Sequence, residues 1–113
     1  MKKKYELTDE TLEWGTHILH RIKALKEFAE VKKGDLGGWV ESEYNLSQDG
    51  TCWVGEEAKV LNNAKVYDVA KVCGTTLVSD NAIISENANV FGNAMVFGNA
   101  IIFRNAKVFG DAQ

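Results

Sequence analysis

The stretch from Asn89 to Gly110 reads NVFGNAMVFGNAIIFRNAKVFG and nearly repeats itself every six residues, placing Phe at 91, 97, 103 and 109. Carried back to residue 51, the same frame reads TCWVGE EAKVLN NAKVYD VAKVCG TTLVSD NAIISE NANVFG NAMVFG NAIIFR NAKVFG, then DAQ. The fourth place is always Val or Ile, from Val54 to Val108. The second is always small: Cys52, Thr76, and otherwise Ala as far as Ala112. The first is often Asn, and the sixth is often Gly or an acid.

A strand turns its side chains to opposite faces at each step. The second and fourth places therefore share one face, and the third and fifth share the other. One small and one β-branched residue suit a narrow interior. Pairs such as Gly92-Asn93 and Gly98-Asn99 are turn formers that tolerate positive φ. The unit is a four-residue strand with a two-residue corner. Apolar residues two apart, repeated every six, cannot make the 3.6-residue stripe of a helix.

Ten unbroken hexads over residues 51–113 resemble the hexapeptide repeat of left-handed parallel β-helices. The resemblance implies an all-β fold: a single-stranded, three-sided solenoid with three hexads, about 18 residues, per coil. The segment then makes a little over three coils, and hexads three apart stack on one another.

Residues 1–50 break the pattern and are expected to cap the solenoid, covering its apolar end and its open strand edge. TLEWGTHILHRIKAL predicts a β-hairpin around Gly15. It would set Ile18, His20 and Ile22 on one face and His17, Leu19 and Arg21 on the other. A helix over Leu19–Phe28 competes, because Ile22, Leu25 and Phe28 also fall at helical spacing. KKGDLGGWV reads as turns, with Trp39 and Val40 starting an irregular first coil. ILHRIKALKEF, GDLGGWVESEYNLSQDG and CWV ahead of the hexads are also similar to hexapeptide-repeat proteins of bacteriophages and prophages. That likeness implies a setting and no mechanism.

The Phe series occupies the fifth, outward place. In a three-hexad coil, Phe91 and Phe109 stack on one face. Phe97 lies on the second, below Leu77 and beside Met95. Phe103 lies on the third, beside Ile101 and below Ile83. Outward places in the earlier hexads carry Lys59, Lys65, Lys71, Ser79 and Ser85. Contiguous exposed apolar surface marks interaction sites. Phe91, Met95, Phe97, Ile101, Phe103 and Phe109 are therefore the expected interface. Ending the sequence on GDAQ also predicts an open edge at the last coil.

Composition narrows the partners. Residues 1–50 carry 8 basic and 10 acidic side chains, and the remainder carry 5 and 6. Neither part is the basic patch that nucleic acid requires. MKKKYELTDE has no apolar stretch behind it, so it reads as no secretory signal, and no window approaches a membrane span. Two Cys make no disulfide framework, which points to a cytoplasmic protein with reduced thiols. The absence of Pro fits ladders of short strands.

Acyltransferases of the hexapeptide family use a His near a subunit interface and a loop excluded from the coils. Residues 51–113 hold neither; the histidines are His17 and His20, in the cap. The carbonic-anhydrase branch uses three His on zinc, and these two fall short. Cys52 takes an inward, packing place, and Cys73 an outward one stacked with Gly55 and Phe91. GDLGG lacks the Lys and the strand–loop–helix setting of a phosphate loop. Lys59, Lys65 and Lys71 fall on three different faces, and corner stacking accounts for Asn63, Asn81 and Asn99, and for Asn87 and Asn105. No catalytic, cofactor or metal site is expected. The expectation is a non-enzymatic interaction protein, self-associating as a dimer or trimer and binding a protein partner. A phage-type inhibitor of a host defence protein is one such role. A hexapeptide-class acyltransferase and an end-to-end polymer are the alternatives.

Overall fold

The computed structural model describes residues 3–109; the closing GDAQ, with Ala112 and the expected open edge, lies outside the described residues. From Trp53 on, each hexad contributes one short strand: β4 (Trp53–Val54), β5 (Lys59–Val60), β6 (Lys65–Val66), β7 (Lys71–Val72), β8 (Leu77–Val78), β9 (Ile83–Ile84), β10 (Asn89–Val90), β11 (Met95–Val96), β12 (Ile101–Ile102) and β13 (Lys107–Val108). Strands three apart pair in parallel: β4-β7-β10-β13 on one face, β6-β9-β12 on another and β5-β8-β11 on the third. Trp53 faces Lys71, and Asn89 faces both Lys71 and Lys107, a constant offset of 18 residues. The repeat is a three-sided parallel β-solenoid of the left-handed β-helix type.

The interior follows the hexad code. Ala58, Val60, Ala64, Val66, Ala70, Val72, Val78, Ala82, Ile84, Ala88 and Val90 are all fully buried or within 1% of it. Small and β-branched residues alternate, and side chains from the three walls meet in one buried cluster. Each buried Val contributes about 1.5–3 kcal/mol of transfer energy.

The corners follow a sharper rule than the sequence suggested. Positive φ falls on the sixth place alone: Glu56, Asn62, Asp68, Gly74, Asp80, Glu86, Gly92, Gly98 and Arg104. Several non-glycine sixth residues then cap the next coil. The Asn62 side chain accepts the Asp80 N–H at 3.2 Å, Asp68 that of Glu86 at 3.1 Å, Asp80 that of Gly98 at 3.0 Å and Glu86 that of Arg104 at 2.7 Å. A corner N–H turned away from the ladder needs an acceptor, and the carboxylate or amide one coil earlier supplies it. The first-place Asn residues instead form an amide ladder, Asn63 to Asn81 at 3.3 Å and Asn81 to Asn99 at 3.4 Å.

The N-terminal region extends one wall. β1 (Tyr5–Trp14) and β2 (His17–Ala24) form an antiparallel hairpin that turns at Gly15, where φ is +63°. The strand persists to Ala24, so the helical alternative over Leu19–Phe28 is not adopted. β2 pairs antiparallel with β3 (Leu36–Val40), and β3 runs parallel to β5, completing a six-stranded sheet β1-β2-β3-β5-β8-β11. Trp39 pairs with Lys59 and Val40 with Val60, an offset of 20 residues. The first coil is thus two residues longer than the rest, and it holds a 3-10 turn at Glu43–Asn45. Asn45 is buried there, with its amide donating to the carbonyls of Asn62 and Ala64.

Candidate functional site

The outer surface of the six-stranded sheet is more apolar than a solvent-facing wall needs to be. Leu19, Trp39 and Leu61 are buried on it, with Leu12 and Leu77 packed against them. Arg21 lies over Trp39 at 4.4 Å from the ring and reaches Glu57 at 3.1 Å, while the Trp39 indole N–H donates to Glu57 at 3.2 Å. These contacts fasten the hairpin to the coils. The apolar stripe runs on to Met95 and Phe97, which border a groove of about 240 Å³ lined also by Leu77, Ser79 and Asp80.

His17 stands at the start of β2 on this same face, opposite Trp14. Alternation along the strand places it with Leu19 and Arg21. Its Nδ1 is 2.8 Å from Glu41 Oε2. The other oxygen of Glu41 accepts the Asn62 N–H at 2.7 Å. Asn62 Oδ1 is occupied by the Asp80 N–H, which turns Nδ2 toward His17 Nε2 at 3.3 Å. An amide N–H can only donate, so Nε2 accepts and carries the lone pair; Nδ1–H therefore donates to Glu41. Partial burial opposes the charge on Glu41. The hydrogen bonds from His17 and from the Asn62 N–H outweigh it and hold the carboxyl below its ordinary range. His17 and Glu41 side chains are each 31% exposed, so the pair is reachable from solvent.

A carboxylate that fixes an imidazole tautomer and leaves Nε2 unprotonated is an arrangement able to take a proton from a hydroxyl or an amine. His20 differs. It falls on the other face of β2, and its Nδ1 is 3.2 Å from the Thr8 carbonyl, an ordinary strand partner.

The six expected interface residues are exposed: Phe91 36%, Met95 40%, Phe97 49%, Ile101 59%, Phe103 46% and Phe109 59%. They are not gathered into one patch. Phe91 and Phe109 stack at 5.3 Å on the β4-β7-β10-β13 wall. Met95 pairs with Leu77 on the second wall, and Ile101 with Ile83 on the third. Phe97 and Phe103 therefore stand one coil beyond Ser79 and Ser85, and not below Leu77 and Ile83 as the sequence suggested. Ile101 and Phe103 border a groove of about 420 Å³ with Tyr67, Asp68, Ser85 and Glu86.

No protein-family model matches the sequence. The chain is 37% identical over 60 residues to a protein of Escherichia coli (strain K12) described as the uncharacterized acetyltransferase YdcK. The match covers 46% of this chain and 18% of that protein. Together with the register of 18 residues per coil, it is consistent with a hexapeptide-repeat left-handed β-helix segment. The likeness overturns the expectation of a non-enzymatic protein, because the matched relative is described as an acetyltransferase. That expectation rested on residues 51–113 having neither a His nor an excluded loop, and on nothing in the sequence placing His17 or His20 beside a groove. The antiparallel hairpin lays His17 beside the coils from outside. Among the described residues, no helix is long and apolar enough to cross a membrane.

Proposed function

We propose that this hexapeptide-repeat chain serves an acyltransferase-like function, moving an acetyl group from a thioester to a hydroxyl or amine acceptor. The observation that carries the reading is His17 oriented by Glu41 with Nε2 unprotonated, on the outer wall of the solenoid. In this role Nε2 takes the acceptor's proton as its oxygen or nitrogen attacks the thioester carbonyl. The thiolate then leaves with the acetyl group transferred. Asn62 holds the imidazole until the acceptor replaces its amide at Nε2. The likeness to a described acetyltransferase supports the reaction class. The test is release of free thiol from acetyl-coenzyme A over a panel of small amines and alcohols. Wild type is expected to turn over with at least one acceptor, and Glu41→Gln to slow it by about 10-fold or more, since the tautomer is no longer fixed by charge. No turnover with any acceptor, or an unaffected variant, would count against the reading.

The exposed Phe and Ile rows favour a second, compatible role in protein association. Self-association through the walls carrying Phe91, Met95, Phe97, Ile101, Phe103 and Phe109 would cover apolar surface and could complete the donor site beside the coils. A further protein partner, including a host defence protein inhibited by a phage-type protein, rests on the loose phage resemblance alone.

A further inference from the structure

Lys4 lies outside the repeat, yet it is 0% exposed. Its Nζ donates to the Cys52 carbonyl at 2.7 Å and to the Gly50 carbonyl at 3.4 Å, and stands 3.3 Å from Cys52 Sγ. The Phe28 ring lies 5.0 Å away. Buried lysines are normally paired with a carboxylate. Among the described residues, none forms an ion pair with Lys4; its partners are two carbonyls, a thiol and a ring. Burial, the largest influence, lowers the Lys4 pKa and favours the free amine.

Cys52 is also 0% exposed. Its sulfur lies 3.5 Å from the Ser47 carbonyl and 3.7 Å from those of Asp49 and Val66. Asp49 and Gly50, in the segment lying over it, are exposed, so one surface layer separates the sulfur from solvent. An amine and a thiol, both nucleophiles, are thus held in contact, and among the described residues neither has a covalent or ion-pair partner.

We propose that Lys4 and Cys52 are an oxidative cross-linking site, where hydrogen peroxide joins Nζ to Sγ through a single oxygen atom. The first peroxide oxidises the thiol to a sulfenic acid and is reduced to water. A second peroxide accepts the two hydrogens lost as the N–O bond forms, and yields two waters. Thiol, amine and two peroxides give one S–O–NH bridge and three waters. An oxygen atom spans the 3.3 Å gap with less movement than a direct S–N bond requires. Burial raises the Cys52 thiol pKa, so the reaction is slower than at an exposed thiol and waits on opening of the covering segment. The bridge ties the chain ahead of β1 to the first regular coil.

The test treats the full chain with hydrogen peroxide under native conditions and measures intact mass and peptide map. The expected product has gained one oxygen and lost two hydrogens, links the Lys4 and Cys52 peptides, and is released by dithiothreitol. Cross-linked protein should unfold roughly 10 °C higher, because a long loop is closed. Cys73→Ser should cross-link as wild type does; Cys52→Ser and Lys4→Met should not. The wild-type map decides the matter even if a variant folds poorly. Cys52 oxidised with Lys4 unlinked, Cys52 untouched while Cys73 oxidises, or a linked product without added oxygen would each overturn the proposal.

Discussion

Glu41 accepts the backbone N–H of Asn62 at 2.7 Å with one carboxylate oxygen and holds His17 at 2.8 Å with the other. The first bond serves a corner N–H as Asn62, Asp68, Asp80 and Glu86 do below it, but from a different place: Glu41 is in register with Leu61 and reaches 21 residues on, where those caps reach 18. The second is particular to this place, where the hairpin crosses the wall. One carboxylate thus joins a corner N–H to a candidate catalytic histidine.

That arrangement has a pH signature. The folded pKa of Glu41 is lowered, so below the ordinary carboxylate pKa of about 4.3 the unfolded chain binds protons more readily than the native one. The stabilisation is present above that pH and is lost as pH falls through the folded value. The thermal midpoint should drop between about pH 5 and pH 3. In Glu41→Gln the amide oxygen can still cap Asn62, and the drop should be shallower. Melting both proteins by circular dichroism across that range checks it; equal slopes would remove Glu41 as a source.

The corners give a comparison between two glycines. A Cβ on Gly74 would lie 2.6 Å from the Gly92 carbonyl oxygen and 2.8 Å from its nitrogen, whereas one on Gly98 meets nothing within 4 Å. Both have φ near +70°. Gly98→Ala should therefore cost only the left-handed conformation, about 1–2 kcal/mol. Gly74→Ala should cost clearly more, since backbone must move. Urea unfolding of the two variants measures the difference, and equal costs would mean that the coils give way easily.

The apolar rows are tested by charge. Phe97 and Phe103 are about half exposed, so Phe97→Asp with Phe103→Asp should leave the monomer folded. If these walls associate, desolvating two carboxylates should weaken self-association about 10-fold or more. Light scattering coupled to size exclusion, over a concentration series, reads the change. Loss of folding in the double variant would instead make the Phe rows part of the stacking itself.

Much of the fold was legible because a strict repeat fixes register. Val or Ile every sixth residue sets the inward row, while the 18-residue offset that brings Phe91 onto Phe109 was implied by the resemblance to left-handed β-helices and not by the period of six. The face shared by His17, Leu19 and Arg21 was legible too, from simple alternation. The candidate site was not. Glu41 directly follows β3, in register with Leu61, and meets His17 only through the tertiary path of the hairpin; ESEYNLSQDG carries no periodicity that would reveal it. Lys4 reaches Cys52 by a tertiary path, with no local pattern in MKKKYELTDE to announce it. The Asn-rich first place drew attention as a positive-φ corner, while geometry assigns that role to the sixth place alone.

The most direct measurement is thiol release from acetyl-coenzyme A by wild type, His17→Ala and His20→Ala, with the acceptor that wild type uses best. General-base loss should slow His17→Ala by about 100-fold or more and leave His20→Ala near wild type. Equal rates in all three, with the variants folded, would contradict a base at His17 and with it the acyl-transfer account of this wall.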